Sequence, residues 1–340
     1  MRVTSPFTWT ARLRRILQRG EVAFARGDLA TAERAGRSVS QQLDQLSIQI
    51  DPFDFRELSV SALELRARVR RERCDLRQAA VFHRSALSAL DDADYGGLAA
   101  VVHLRLGETL RVLGHYPEAE RHHDRAVAMA RDLSSADPLL LVAALNGLGL
   151  VYKDTDRFVD AACHYQSALA IAEGVVGPNG KELADLHHNL AELDYAQHRF
   201  FHGEPHARRA IQLRQIAPGL NSTAAAGDFA VLGALLIGKG RYDEAEDALE
   251  KSLRIWVRHF GPDHYEVATV TNHLAALYTA REQHARAEGA YRTVIEIKRR
   301  VLGADNAEVV ALKQHVDRLA RTSNGSGDRD GEKEYTDRGQ

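Results

Sequence analysis

The chain has 340 residues, enough for two ordinary domains or one elongated array, and its 45 basic and 47 acidic residues nearly cancel. That balance excludes a bulk electrostatic pull, so neither nucleic acid nor a membrane surface is expected as a partner. The start, MRVTSPFTWTARLRRILQRG, lacks an apolar signal core, and nowhere do about 18 apolar residues run uninterrupted, which predicts a soluble, cytoplasmic protein. Cys74 and Cys163 have no paired spacing, so neither a disulfide framework nor a cysteine zinc site is expected.

In chain order, one pattern recurs. GDLATAERAGRSVS (27–40) and CDLRQAAVFHRSAL (74–87) are weak copies. GHYPEAERHHDRAV (114–127), DRFVDAACHYQSAL (156–169), HRFFHGEPHARRAI (198–211), GRYDEAEDALEKSL (240–253) and EQHARAEGAYRTVI (282–295) are strong ones. The small residue at the heart of each is Ala32, Ala79, Ala119, Ala161, Gly203, Ala245 and Ala287, at spacings of 47, 40 and then 42 throughout. Such a period marks a repeat architecture. The repeats occupy about residues 9–50, 51–92, 93–134, 135–176, 177–218, 219–260 and 261–302.

Each repeat reads as two amphipathic helices. In the fourth, Leu145, Leu148, Gly149 and Tyr152 form one helical stripe, the turn KDTDRF follows, and Ala161, Tyr165 and Ala168 form the second stripe. Small residues let paired helices approach while Tyr152 and Tyr165 fill the space beside them. No repeat can bury its stripe alone; GPDHYEVATVTNHLAALYTA (261–280), for instance, is small and apolar and needs a neighbour. In the fifth repeat, Gly203 and Pro205 fall inside the second helix and predict a distortion. NAEVVALKQHVDRLART (306–322) predicts a cap helix, with Asn306 as N-cap and Val309, Leu312, Val316 and Leu319 on one face. SNGSGDRDGEKEYTDRGQ (323–340) has no apolar run and predicts a disordered tail.

Sixteen histidines raise the question of metal. His122, His164 and His206 recur 42 apart, but equivalent positions in adjacent repeats lie about 8 to 10 Å apart, too far to close on one zinc ion. They fall on second helices and are expected to be solvated. His198, His202 and His206 are spaced four apart, with Gly203 and Pro205 between them. The adjacent pairs His122/His123 and His187/His188 diverge by about 100° on a helix, so neither pair serves one proton or one metal. Phosphate-loop, HExxH, GxSxG and Cys–His patterns are missing, and the acidic DEAED belongs to a helix start. No catalytic residue, metal or cofactor is therefore expected.

Leu145, Leu148, Gly149, Tyr152, Ala161, Tyr165 and Ala168 sit at the spacing of the tetratricopeptide repeat signature. The lengthening to 42 residues, with GPNGKELA (177–184), GPDHYEVA (261–268) and TNHLAALY (271–278), resembles the kinesin light chain subtype. Arg66 and Arg70 depart from the pattern by standing where the family places apolar residues. The resemblance implies an all-α, right-handed superhelical solenoid whose first helices line a concave groove for extended peptides.

On those first helices, three non-core positions per repeat, at i, i+4 and i+7, would face a ligand. They are Glu64, Arg68 and Arg71; Leu104, Glu108 and Arg111; Asn146, Leu150 and Lys153; His188, Glu192 and Tyr195; Ala230, Ala234 and Ile237; and Asn272, Ala276 and Thr279. The stripe passes from charged to small and apolar, which predicts a partner segment with an acidic part and a hydrophobic part. Arg71, Arg111 and Lys153 are expected at its basic end, with Asn146 and His188 on the ligand backbone. The family's dicarboxylate clamp is not reproduced, because its lysine and paired asparagines are not matched in consecutive repeats. The leading expectation is a non-enzymatic scaffold or adaptor for a protein or peptide. The alternatives are a sensor of a signalling peptide that changes superhelical pitch, and an enzyme or obligate enzyme subunit with an unrecognised site.

Overall fold

The structure is a computed structural model in which residues 6–46, 50–90, 96–133, 137–216 and 222–327 are described. Those residues form fifteen α-helices and no strand, as a uniform helical periodicity requires. They divide into two compact units, Met1–Gly177 and Pro178–Gln340. Unit one holds α1 (Pro6–Ala25), α2 (Leu29–Leu46), α3 (Pro52–Glu72), α4 (Leu76–Ser88), α5 (Gly96–Val112), α6 (Tyr116–Asp132), α7 (Pro138–Asp154) and α8 (Phe158–Val176). Unit two holds α9 (Leu183–Ala196), α10 (Phe200–Ile216), α11 (Thr223–Gly238), α12 (Tyr242–Phe260), α13 (Tyr265–Ala280), α14 (His284–Leu302) and α15 (Ala307–Gly327). Helices pack mainly as consecutive pairs, and each pair stacks on the next within its unit. The architecture is an all-α repeat solenoid.

The sequence sets these helices locally. Asp51, Asp75, Asp137 and Ser222 accept backbone N–H bonds at the starts of α3, α4, α7 and α11, and Pro52 and Pro138 occupy first helical positions, where the missing donor is harmless. One turn geometry joins the two helices of every pair. Gly27, Cys74, Gly114, Asp156, His198, Gly240 and Glu282 all adopt positive φ, between 57° and 79°. Three of these seven are glycine; the other four hold an L side chain in a conformation that costs roughly 1 to 2 kcal/mol.

The core follows the small and large stripes. Tyr165 is wholly buried, and a Cβ added at Gly149 would stand 2.4 Å from its ring. Close approach of α7 and α8 therefore requires that glycine. In unit two, α11 and α12 contribute Leu232, Leu235, Leu236, Ala245 and Leu249, joined by Val270, Leu274 and Leu277 of α13.

The distortion expected at Gly203 and Pro205 does not break the helix: α10 runs unbroken from Phe200 to Ile216, with Pro205 inside it and exposed. A Cβ at Gly203 would meet Leu235 at 2.7 Å and Asp194 at 3.0 Å. Packing against α9 and α11 thus offsets the weak helix propensity of glycine. Arg66 and Arg70 are also explained. Glu33 of α2, 6% exposed, lies 3.5 Å from each of them, and the Arg66 guanidinium lies 4.2 Å from the centre of the Phe82 ring.

At the other end, Asn306 caps α15 by accepting from the Glu308 N–H at 2.9 Å, and Leu312 and Val316 pack on Ala275, Ala287 and Tyr291. The helix continues past 322 to Gly327. Residues 328–340 of the expected tail lie outside the described residues.

Candidate functional site

The first helices of unit one, α1, α3, α5 and α7, are linked in succession by ion pairs. Arg68 of α3 reaches Glu21 of α1 at 2.8 Å with its guanidinium 4.2 Å from the Phe24 ring centre. Arg71 reaches Glu108 of α5 at 2.5 Å, and Arg111 of α5 pairs with Asp154 of α7. Glu64, predicted on the open face, is instead 4% exposed and holds His83 at 2.6 Å and Arg105 at 2.7 Å. Burial pushes its carboxyl up, and the bonds to His83 and Arg105 outweigh that and hold it below the usual range.

Arg71 and Arg111, expected at the basic end, are thus each ion-paired in the structure. Arg68, Arg71 and Arg111 occupy neighbouring helices, but each already carries a carboxylate. Asp154 is not marked by sequence because it falls in the KDTDRF stretch, where a turn is expected, whereas α7 ends on it. Asn146 and Lys153 lie half-exposed on α7.

Unit two is organised differently. Asp228 is the one charged residue of α11 and is 0% exposed. Its Oδ1 meets His188 Nδ1 of α9 at 2.8 Å, and its Oδ2 meets Arg214 Nε of α10 at 2.5 Å. Arg214 also bonds Asp185 at 2.7 Å. Two cationic partners compensate the buried carboxylate. The second ring nitrogen of His188 lies 3.5 Å from Glu192. Burial alone would depress the imidazole, but the hydrogen bonds to Asp228 and Glu192 prevail and raise it to about 9. His188 is thus an imidazolium at neutral pH, with both nitrogens carrying protons.

Tyr195, 37% exposed, faces His273 of α13 edge-on at 6.1 Å, and Asn272 is half-exposed on the same helix. The structure brings His188, Glu192 and Tyr195 onto one helix beside α11 and α13. A lone acid in an otherwise apolar α11 was the sequence signal for Asp228; nothing local marked Arg214 as its partner.

The tetratricopeptide repeat family model matches residues 98–174 and 229–300, which take in most of α5 to α8 and of α11 to α14. Those two segments are tetratricopeptide repeats. No curated protein matches it in sequence. Among solved structures, the apo form of RapI is similar with a TM-score of 0.63 at 15% identity, over 85% of this chain and 98% of that one. A Rap protein complexed with Competence and Sporulation Factor gives 0.62 at 13% identity, over 93% and 89%. BtubC (BKLC) from P. vanneervenii gives 0.58 at 20% identity, over 68% and 92%. At these identities the likeness carries the fold alone. The 42-residue spacing appears in the second helices of the tetratricopeptide repeats, which start at Phe158, Phe200, Tyr242 and His284.

Within these repeats the histidine column is not solvated as expected. His122 Nδ1 lies 2.8 Å from His103 Nδ1, and His187 Nδ1 lies 2.9 Å from His206 Nδ1. Each pair joins the two helices of one repeat, and each shares one proton. Burial, then the partner's charge, depresses His122 and His187 to about 4. His164 is held differently: its Nδ1–H donates to the Asp160 carbonyl at 2.8 Å and its ring packs on Tyr152. The adjacent pairs diverge as the helical angle requires: His123 turns inward against Gly107 and Gly147, and His188 turns to Asp228. Neither ring nitrogen of His123 has a hydrogen-bond partner among the described residues. Among those residues no group of three or more His, Cys, Asp or Glu could hold a metal ion, and no helix is long and apolar enough to cross a membrane.

Proposed function

We propose that this tetratricopeptide repeat protein is a non-enzymatic adaptor that binds an extended peptide or protein segment on its first-helix faces. The observation that carries the reading is the convergence of first-helix side chains from successive repeats within each unit. Arg68, Arg71, Glu108 and Arg111 adjoin one another in unit one, and His188, Glu192, Tyr195 and Asn272 lie on the neighbouring first helices of unit two. An acidic ligand side chain would exchange with Glu108 on Arg71 or with Asp154 on Arg111, while Asn146 and Lys153 would serve as donors along its backbone. Arginine suits this exchange because its planar fork holds a carboxylate in bidentate fashion.

A sensor is the second reading. The ion pairs between α3, α5 and α7 set the spacing of successive repeats, so a ligand competing for them would alter that spacing. The Rap protein of similar fold, solved with Competence and Sporulation Factor, supports a peptide as the ligand class.

The test begins with panning of a displayed random-peptide library on the full chain, followed by titration of a selected peptide. Arg111→Ala and Asn146→Ala should each weaken it, Arg111→Ala by about tenfold or more, as loss of one charge-assisted bond implies. Lys313→Ala, on α15, should leave affinity unchanged. Equal affinity for all three variants, each with an unchanged circular dichroism spectrum, would place the ligand elsewhere.

A further inference from the structure

The outer face of α1 differs from several other arginine-bearing surfaces. On those surfaces guanidinium groups meet carboxylates: Arg84 with Glu118 at 2.7 Å, Arg157 with Glu120 at 2.9 Å, Arg208 with Glu244 at 3.1 Å and Arg286 with Glu246 at 2.9 Å. On α1 the one acid, Glu21, is taken by Arg68 of α3. Arg12, Arg15, Arg19 and Arg26, the last just beyond the helix end, are all exposed, and none has a carboxylate partner among the described residues. At about 100° per residue, these four and Val22 fall within an arc of roughly 80°, opposite the buried Leu13 and Leu17, and the stripe runs ~21 Å along the helix axis.

Four like charges that close repel one another, and solvation alone is served as well by mixed signs. The stripe also has a shaped element. Arg15, Arg19 and Arg26 border a shallow cleft of about 470 Å³ whose wall includes Val22, 46% exposed, and Ala23. Asp28, on the same cleft, is engaged in capping the Thr31 N–H at 3.0 Å.

We propose that the arginine face of α1 docks an acidic segment of a partner protein, with one apolar side chain of that segment seated against Val22 and Ala23. Charge complementarity sets the sign of the partner. The apolar seat favours a protein over a phosphate backbone, which would present charge without an aliphatic side chain. This face is separate from the first-helix residues assigned above, so it stands or falls independently of them.

The test uses the full chain and a fluorescein-labelled synthetic peptide with glutamates at i, i+3 and i+7 flanking a leucine, long enough to span the ~21 Å stripe. A DNA duplex of matched length and label is the competing probe. At about 0.15 M salt, where exposed charges are screened beyond roughly 8 Å, fluorescence anisotropy should show peptide binding to the wild-type chain. The Arg15→Glu/Arg19→Glu double variant should weaken it by about tenfold or more, since each lost arginine removes a charge-assisted contact. Val22→Asp should weaken it as well, whereas Arg258→Glu, an exposed change on α12, should not. All four positions are exposed, and an unchanged thermal melt confirms that each variant folds. Absent peptide binding, binding indifferent to the double variant, or tighter binding of the duplex than of the peptide would overturn the proposal.

Discussion

The first helices of the two units differ in how their best-placed charges are held. In unit one, Arg68, Arg71 and Arg111 reach across part-exposed surface to carboxylates of neighbouring first helices; inside, Glu64 is held by His83 and Arg105, while His123 has no hydrogen-bond partner among the described residues. In unit two a carboxylate, Asp228, is driven wholly inside α11 and is satisfied there by His188 and Arg214. Exposed pairs couple repeats weakly and can be exchanged for a ligand; a buried, fully paired cluster fixes one packing of α9, α10 and α11 and resists exchange.

The largest expected effect falls on the buried cluster. Asp228→Asn leaves Arg214 and His188 without their shared counter-charge and should destabilise unit two by about 3 to 5 kcal/mol. Urea denaturation monitored with hydrogen exchange would locate the loss; protection of α9 to α11 unchanged from wild type would show that the cluster is incidental.

Next comes pH. His188 has its folded value raised to about 9 from an ordinary 6.5, so its contribution is complete below 6.5 and is lost as pH rises through 9. His122 and His187 are depressed to about 4, so their contribution is complete above 6.5 and is lost as pH falls toward 4. Acid should therefore loosen both units, α5–α6 in one and α9–α10 in the other, whereas alkali should loosen unit two through His188. Each limb should amount to roughly 1 to 3 kcal/mol. A His188→Gln variant that keeps the same alkaline fall in melting temperature would break this assignment.

The interior of unit one predicts the opposite sign from that of unit two. His123→Leu removes two ring nitrogens that lack partners and should stabilise by about 1 to 3 kcal/mol; a lower melting temperature at pH 7 would mean that the ring's shape between Gly107 and Gly147 matters more than its polarity. The smallest effect belongs to the exposed ladder. Arg71→Ala should change stability by less than about 1 kcal/mol, and a loss as large as that of Asp228→Asn would erase the distinction between the two units.

Much of the fold was legible because a helix pair writes its contacts locally. Ala161, Tyr165, Ala168 and Gly149 recur at helical spacing, and the partner that each needs is the adjacent helix of the same repeat. The site was less legible. Arg71, Arg111 and His188 were found as positions on first helices, but their charge state was misread because Glu108, Asp154 and Asp228 lie 37, 43 and 40 residues away in sequence. The histidine pairs were missed for the same reason: His103 and His122 are 19 residues apart, a separation that no helical period relates.

Sequence alone determined the period, the helix pairs, the caps and the small-residue columns, since these depend on 3.6-residue periodicity and on backbone hydrogen bonding within a few residues. Only the tertiary structure decided that Glu64 and Asp228 go inside, that Arg68, Arg71 and Arg111 are already paired and that Arg12, Arg15, Arg19 and Arg26 meet no carboxylate among the described residues. The energy of a charge depends on what lies within a few ångströms in space, and in a stacked array the nearest carboxylate is commonly one repeat away along the chain.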